Sequence, residues 1–447
     1  MIEEKEARKI TDAILARCKG NPAEVTLLTL DSALTRFANN IIHQNVAERD
    51  AEISLRFMIG KKIGTATTNR LDQAGLDELV ERARTNAQAS PEDPNYPGLA
   101  EPASYKRVNA WDADTASYSA QNRAKAVGVV CRMAVEKGLN ASGAFSTGSG
   151  DTVVANSQGV FAYHSMTSAD FQTVVMSNDS SGRTQESAWK VDELDVESLG
   201  RQAIDTAGRG HNPVKIDPGE YTVILEHYAT EDLLASLNFY GMGAQAVQEG
   251  HSWMNDRLGQ LIMSPQVSIW DDGCDSTGAP LPFDFEGVPK QKVDIIKQGV
   301  VMGPVYDRYS AAKEGKASTG HATPINFRGF GPIAAHLFMG TGDATVDEMI
   351  KATQKGLYIN RFWYTRLMHP RDCVITGMTR DGVFMIQDGE IAYPVKNLRY
   401  TMPYIQALAN VEAVGKTSHL LIGEFGGISS RVPALKIKEF NFTGSTV

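Results

Sequence analysis

The stretch ASGAFSTGSGDTVVANSQGVFAYHSMTSADFQTVVMS, residues 141–177, reads as a meander of antiparallel strands joined by Gly and Asn turns. The preceding strand runs VTLLTLDSALTRFANN, IIHQNVAERD and AEISLRFMIGKKIGTATTN are of the same kind. In the last of these Ile53, Leu55 and Phe57 alternate with polar neighbours, and Gly60-Lys61-Lys62 supplies a turn. Helix signals occupy other stretches: EEKEARKITDAILARCKG, LDQAGLDELVERARTNAQAS, a segment near residues 115–138, and ESLGRQAIDTAGRGHNP. Segregation of helix from strand excludes the regular βαβ alternation of a doubly wound sheet and predicts an α+β fold.

A second unit opens at KIDPGEYTVILEHY. It continues through the apolar helix LLASLNFYG, strands at QVSIWDDG and KVDIIKQGVVMG, and the helix TVDEMIKATQKG, where Thr345 and Glu348 fit a capping box and Gly356 fits the stop. DCVITGMTRDGVFMIQDGEIAYPV follows, with Asp-Gly turns expected at Asp381-Gly382 and Asp388-Gly389. The Pro-rich loop PEDPNYPGLAEP marks a subdomain seam within the first half. Two domains are expected: residues 1–212 as helices with an antiparallel sheet, and 213–447 as a β-rich barrel- or sandwich-like unit. SLRFMIG and TVVMS are expected to be edge strands able to receive an extended peptide, and the aromatics of FYGMG and NRFWYTR to line a groove.

Charge narrows the partners. With 53 acidic and 44 basic residues the net charge is −9, and no Lys/Arg-rich tract stands out, so nucleic acid and anionic membrane surfaces are disfavoured. The first twenty residues carry charges throughout and lack the apolar core of a secretory signal. No 18 apolar residues run together, and a cytoplasmic protein is expected. Cys18, Cys131, Cys274 and Cys373 form no CxxC pair and read as reduced, unreactive thiols.

No complete catalytic motif is present. His227 and Glu231 lie four apart, which on a helix would put an imidazole and a carboxylate within reach of one metal, although two ligands do not make a site. Gly241-Met242-Gly243 with Ala246 matches a bare GxGxxA string, but a helix rather than a strand precedes it. Asp271-Asp272-Gly273 ends a strand and reads first as a turn and second as a cation or acid–base pair, and His251 belongs with it to a relocated-site reading. His321, His336 and His369 have no second ligand at a recognisable spacing.

Taken together, TRFANNIIHQNVAERDAEISLRFMIGKKIGTATTNRLD, PGEYTVILEHYATEDLL, EGHSWMNDRLGQLIMSPQVSIWDDG and INRFWYTRLMHPRDCVITGMTRDGVFMIQDGEIAYPVKNLRYT make the chain resemble the TldD/PmbA (TldD/TldE) family of zinc metallopeptidases, once named modulators of DNA gyrase. The resemblance runs from about Thr29 to Gly444. It implies that, after Leu-Leu, catalytic members carry HExxxH, whose two His join a later Cys to hold zinc while the Glu acts as base. Here Leu233-Leu234 is followed by Ala235-Ser236-Leu237-Asn238-Phe239-Tyr240, so the His positions fall on Ala235 and Tyr240 and the Glu position on Ser236. No Cys lies beyond Cys373, and Glu424 is the only strong ligand type where the third would stand. The resemblance thus implies a TldE/PmbA-like subunit with no zinc of its own, paired with a zinc-bearing TldD-like subunit as a heterodimer, or forming a homodimer, and acting on peptide or unfolded polypeptide. The alternatives are a self-sufficient metallohydrolase using His227 and Glu231, and a non-enzymatic regulatory protein of the gyrase-modulator kind.

Overall fold

The computed structural model describes residues 2–423 and 428–445. Six strands make the first sheet: β1 (Ala23–Ala38), β2 (Ile41–Ile59), β3 (Lys62–Thr68), β4 (Asn140–Asn156), β5 (Phe161–Met176) and β6 (Ser181–Ala188). Their order is β3-β2-β1-β4-β5-β6, antiparallel throughout. The odd-numbered side chains of β1 and β4 carry the apolar load. Val25, Leu27 and Val153 pack with helices Glu4–Arg17 and Gln73–Ala89, whereas Phe37, Ala141 and Phe145 pack with helices Ala120–Glu136 and Val196–Arg209. All four helices therefore cover one face of the sheet, and period-2 alternation leaves the other face mixed, with Leu28, Leu30 and Leu34 of β1 beside small and polar residues of β4.

The second sheet comprises β7 (Gly219–Leu225), β8 (Ile269–Asp271), β9 (Val293–Lys297), β10 (Val300–Val301), β11 (His336–Met339), β12 (Lys355–His369), β13 (Val374–Gln387), β14 (Glu390–Pro394), β15 (Leu398–Pro403), β16 (Val411–Ile422) and β17 (Ser429–Ser445). Because β7 pairs with both β12 and β17, the path β7-β12-β13-β15-β17 closes on itself as a five-stranded ring. Its core is Val223, Leu357, Ile359, Phe362, Tyr400, Leu435 and Phe440, and Leu233, Leu234 and Leu237 of the helix His227–Leu237 join that cluster. At roughly 2 kcal/mol for each buried Leu, these three alone hold the helix on the barrel by several kcal/mol. The α+β class and the β-rich barrel of the second half are thus as expected. Among the described residues no helix is long and apolar enough to cross a membrane.

Three local expectations are corrected. SLRFMIG and TVVMS are not edges: Ser54–Ile59 lies between β1 and β3, and Thr173–Met176 between β4 and β6, because each is covered by the next hairpin strand. The segment of β2 with a single strand partner is residues 41–52. Asp388-Gly389 is a turn with both φ positive, but Asp381-Gly382 lies inside β13. There the register passes from Arg361↔Arg380 to Ile359↔Val383, two residues opposing one, so the dipeptide is a β-bulge. Finally, the capping box at Thr345 and Glu348 is present, but the helix ends at Lys351 and Gly356 belongs to β12. A Cβ there would come within 2.6 Å of the Thr222 carbonyl oxygen on β7, so strand pairing accounts for that glycine.

The two sheets meet along β6, where Tyr228 Oη donates no bond but accepts one from the Gln185 amide at 3.0 Å and Asn360 Nδ2 donates to the Arg183 carbonyl at 2.9 Å. Farther along, Arg328 bonds both Glu24 of the first sheet, at 2.8 Å, and Glu286, at 3.0 Å. The Pro-rich loop straps this junction: Arg308 donates to the Leu99 carbonyl at 2.9 Å.

Candidate functional site

Strand β7 stops at Leu225 and the helix starts at His227, with Glu226 as the N-cap fixed by a 2.9 Å bond from the Tyr358 hydroxyl. Helical spacing buries Ala229, Leu233, Leu234 and Leu237 against the barrel. It leaves Glu231, Asp232, Ala235 and Ser236 half-buried along the outer stripe, followed by exposed Phe239 and half-buried Tyr240. The last turn is not α but π, Asn238–Met242. This matters for positions 235 and 240. At 3.6 residues per turn, residues five apart point about 140° away from each other, whereas i→i+5 bonding brings them toward one side.

The π turn is built into its surroundings. Asn238 Nδ2 donates to the Ala334 carbonyl at 2.7 Å, and its Oδ1 accepts from the Ala334 amide at 3.3 Å. Trp253, fully buried, donates from Nε1 to the Leu237 carbonyl at 2.8 Å, and Ser252 Oγ donates to the Gly241 carbonyl at 2.6 Å. The Trp253 ring fills the space where a Cβ of residue 241 would stand, at 2.2 Å, so only glycine fits. LLASLNFYG is therefore packing on its inner side and a shaped, half-open surface on its outer side.

That outer surface lacks a metal-binding donor set. Ala235 has no donor, Ser236 has only a neutral hydroxyl, and burial raises the Tyr240 phenol, which keeps it protonated. Among the described residues no group of three or more His, Cys, Asp or Glu side chains could hold a metal ion. Glu424 lies outside the described residues. The residues present do not fit zinc.

The relocated-site candidates are dispersed. His227 and Glu231 do sit one turn apart on the helix, but His227 Nδ1 meets Glu226 Oε2 at 3.1 Å and its ring stacks on His419 at 4.1 Å. His419 Nδ1 in turn meets Glu186 Oε1 at 3.0 Å, and His227 Nε2 is buried with no hydrogen-bond partner among the described residues. His251 is half-exposed beside Glu249. Asp272 closes a turn by accepting from the Cys274 amide at 2.9 Å, as expected, whereas Asp271 is wholly buried. Burial alone would push the Asp271 carboxyl up, but Lys290 at 3.8 Å and His321 Nε2 at 2.9 Å hold it far below the usual range. Burial pushes His336, alongside, down to about 3. Nothing in the spacing of these residues signalled the cluster, because its members come from strands and loops remote in sequence.

A second group absent from the sequence reading is Asp232. Both oxygens are capped, by the Tyr404 hydroxyl at 2.8 Å and the Thr365 hydroxyl at 2.9 Å, and burial raises the carboxyl to about 6. It anchors the site helix to β12 and to the segment after β15.

Family profiles match the chain in three parts: PmbA/TldA metallopeptidase domain 1 over residues 23–87, the central domain over 71–210, and the C-terminal domain over 218–444. The chain is 26% identical over 441 residues to the Metalloprotease PmbA homolog of Haemophilus influenzae, covering 92% of both. To a metalloprotease of Methanothermobacter thermautotrophicus it is 27% identical over 241 residues, 54% of this chain and 52% of that one. In that comparison it spans about half the length of the relative. Two solved structures share the fold. TldE from Thermococcus kodakarensis has a TM-score of 0.90 at 18% identity, with 97% of this chain and 100% of that one covered. A candidate modulator of a DNA gyrase from Thermotoga maritima has a TM-score of 0.87 at 19% identity, with 98% and 100% covered.

Proposed function

This chain belongs to the PmbA/TldA metallopeptidase family, and from that premise we propose that it is a non-catalytic, TldE/PmbA-type subunit of a peptide-processing complex whose zinc sits in a TldD-type partner. One observation carries the reading. The helix and π turn are firmly pinned by Asn238 and Trp253, while the side chains at positions 235 and 240 are a methyl and a phenol. A drifted scaffold would speak for lost function of the whole surface; a kept scaffold with exchanged side chains speaks for a surface still in use without its ion. The test is assembly. The purified chain alone should hold no stoichiometric zinc and leave an unstructured peptide uncut, and adding a TldD-type chain should bring chelator-sensitive hydrolysis. Hydrolysis by the lone chain that a chelator stops would refute the reading.

A second reading draws on His227. A carboxylate on Nδ1 and a buried, unpaired Nε2 is the pattern of a histidine prepared as a ligand, and the neighbouring His419 has its own carboxylate. It predicts a metal-dependent activity in the lone chain that His227→Ala abolishes. Absence of bound metal after loading with zinc, manganese or nickel defeats it.

A further inference from the structure

The helix-free face of the first sheet carries a row of residues in register, Arg36 on β1, Ala144 on β4, Gln172 on β5 and Gln185 on β6. Over Ala144 and Gly143 the surface sinks into a shallow groove of about 240 Å³, lined also by Arg36, Ser142 and Gln172. At the β6 end stands Arg183, only 9% exposed. One of its terminal nitrogens donates to Gln185 Oε1 at 2.7 Å and reaches Gln172 Oε1 at 3.4 Å, and its guanidinium lies 5.8 Å from the Tyr228 ring. Neither Arg36 nor Arg183 forms an ion pair with a described carboxylate. Asp170, the nearest acid, is engaged by Ser187 and Gln185, and burial raises its carboxyl.

The β12–β13 bulge adds positive charge across the junction. Arg361 and Arg380 share the single buried carboxylate of Asp381, at 2.5 and 3.8 Å, and flank the Trp363 ring at 4.8 and 5.1 Å. Arg361 feels the charge of both Arg183 and Arg380. Arg183 is nearly buried with glutamine oxygens as its hydrogen-bond acceptors and feels the charge of Asp170 without a direct ion pair, so a ligand anion would add one. The glutamines beside the open floor of Ala144 also suit the backbone of an extended chain.

We propose that the groove between Arg36 and Arg183 binds a carboxylate of an extended peptide, with Gln172 and Gln185 orienting Arg183 toward it. That the ligand is a peptide rests on the subunit reading above; the carboxylate follows from the arginines. The test is isothermal titration of the full chain, without partner, with N-acetyl-tetraalanine as free acid, the same peptide as its amide, an amide containing one Glu, and inorganic phosphate. The free acid should bind at least about tenfold tighter than the plain amide, the loss of one charge-assisted bond. A preference for the free acid over the Glu peptide assigns the terminal carboxylate, and the reverse assigns a side chain. Arg36→Met, at an exposed position that folding does not require, should weaken binding by a similar factor. Arg183→Met should remove it, and Arg183→Lys should restore part. Equal binding of acid and amide, unchanged binding in Arg36→Met, or binding of phosphate alone would overturn the proposal. Each of these outcomes leaves partner-dependent hydrolysis, and so the subunit reading, to its own assay.

Discussion

Asp232 offers the sharpest check on how the site helix is held. Its carboxyl is raised from the usual 3.8 to about 6 because burial penalises the charge more than the Tyr404 and Thr365 hydroxyls relieve it. The gap corresponds to about 3 kcal/mol between the neutral and charged forms. The sign follows from linkage. Below about pH 3.8 the carboxyl is protonated in both the folded and unfolded chain, and its contribution is complete. As pH rises to about 6 the unfolded chain ionises first, so stability falls, and above that value the loss is constant. Asp232→Asn keeps the shape and removes the titration. The variant and the parent should therefore differ by a small fixed amount near pH 4, set by rearranged hydrogen bonds. By pH 7.5 the variant should gain about 3 kcal/mol relative to that baseline. Denaturant unfolding followed by tryptophan fluorescence at pH 4, 5, 6 and 7.5 measures this. Glu286, raised by burial to about 8, and Asp284, raised to about 6, titrate in an overlapping range but are common to both proteins and cancel in the difference. A difference that stays constant within about 1 kcal/mol across that range would refute the claim that burial raises this carboxyl in the folded chain.

Three further outcomes follow from the packing. Gly241→Ala drives a methyl into the Trp253 ring and should cost about 2–4 kcal/mol, read as a lower denaturation midpoint with loss of the buried Trp253 emission. Asn238→Ala orphans the amide and carbonyl of Ala334 and should cost about 2–3 kcal/mol, with faster hydrogen exchange confined to the π turn and the Ala334 segment. Arg328→Met leaves Glu24 and Glu286 buried with Arg56 at 3.4 Å as their shared cation. It should destabilise by about 3 kcal/mol near pH 9, where Glu286 is charged, and by less near pH 5, where carboxyls raised by burial are already protonated, as paired melts at the two pH values would reveal.

What could be read from sequence was local and periodic. Alternation at Ile53, Leu55 and Phe57, the capping box at Thr345 and the apolar face of LLASLNFYG all state their structure within a few residues. Asp381-Gly382 misled because positive φ at an Asp-Gly pair serves a bulge as well as a turn, and the choice depends on a strand partner twenty residues away. SLRFMIG misled because the alternation of a strand does not say how many neighbours it has. The charged clusters were invisible for a different reason. Asp232 with Tyr404 and Thr365, and Asp271 with His321 and Lys290, are assembled by the barrel closure from segments with no fixed spacing.

The π turn bears on how such a helix keeps its place without a metal ion. Its stabilising contacts, Leu233, Leu234 and Leu237 on the barrel, Asn238 on Ala334 and Trp253 on Leu237, all lie on the inner side or along the backbone. Ala235 and Ser236 lie on the outer side and contribute little to that core, whereas the half-buried Tyr240 ring packs against its edge. A donor set placed there would be held by the scaffold rather than holding it. On the subunit reading proposed above, a methyl, a hydroxyl and a phenol at these positions would leave no unpaired ligands to repel one another in an empty metal site. The geometry of the helix is therefore set by packing on its inner side, which leaves Ala235 and Ser236 on the outer side open to change at little cost to the fold.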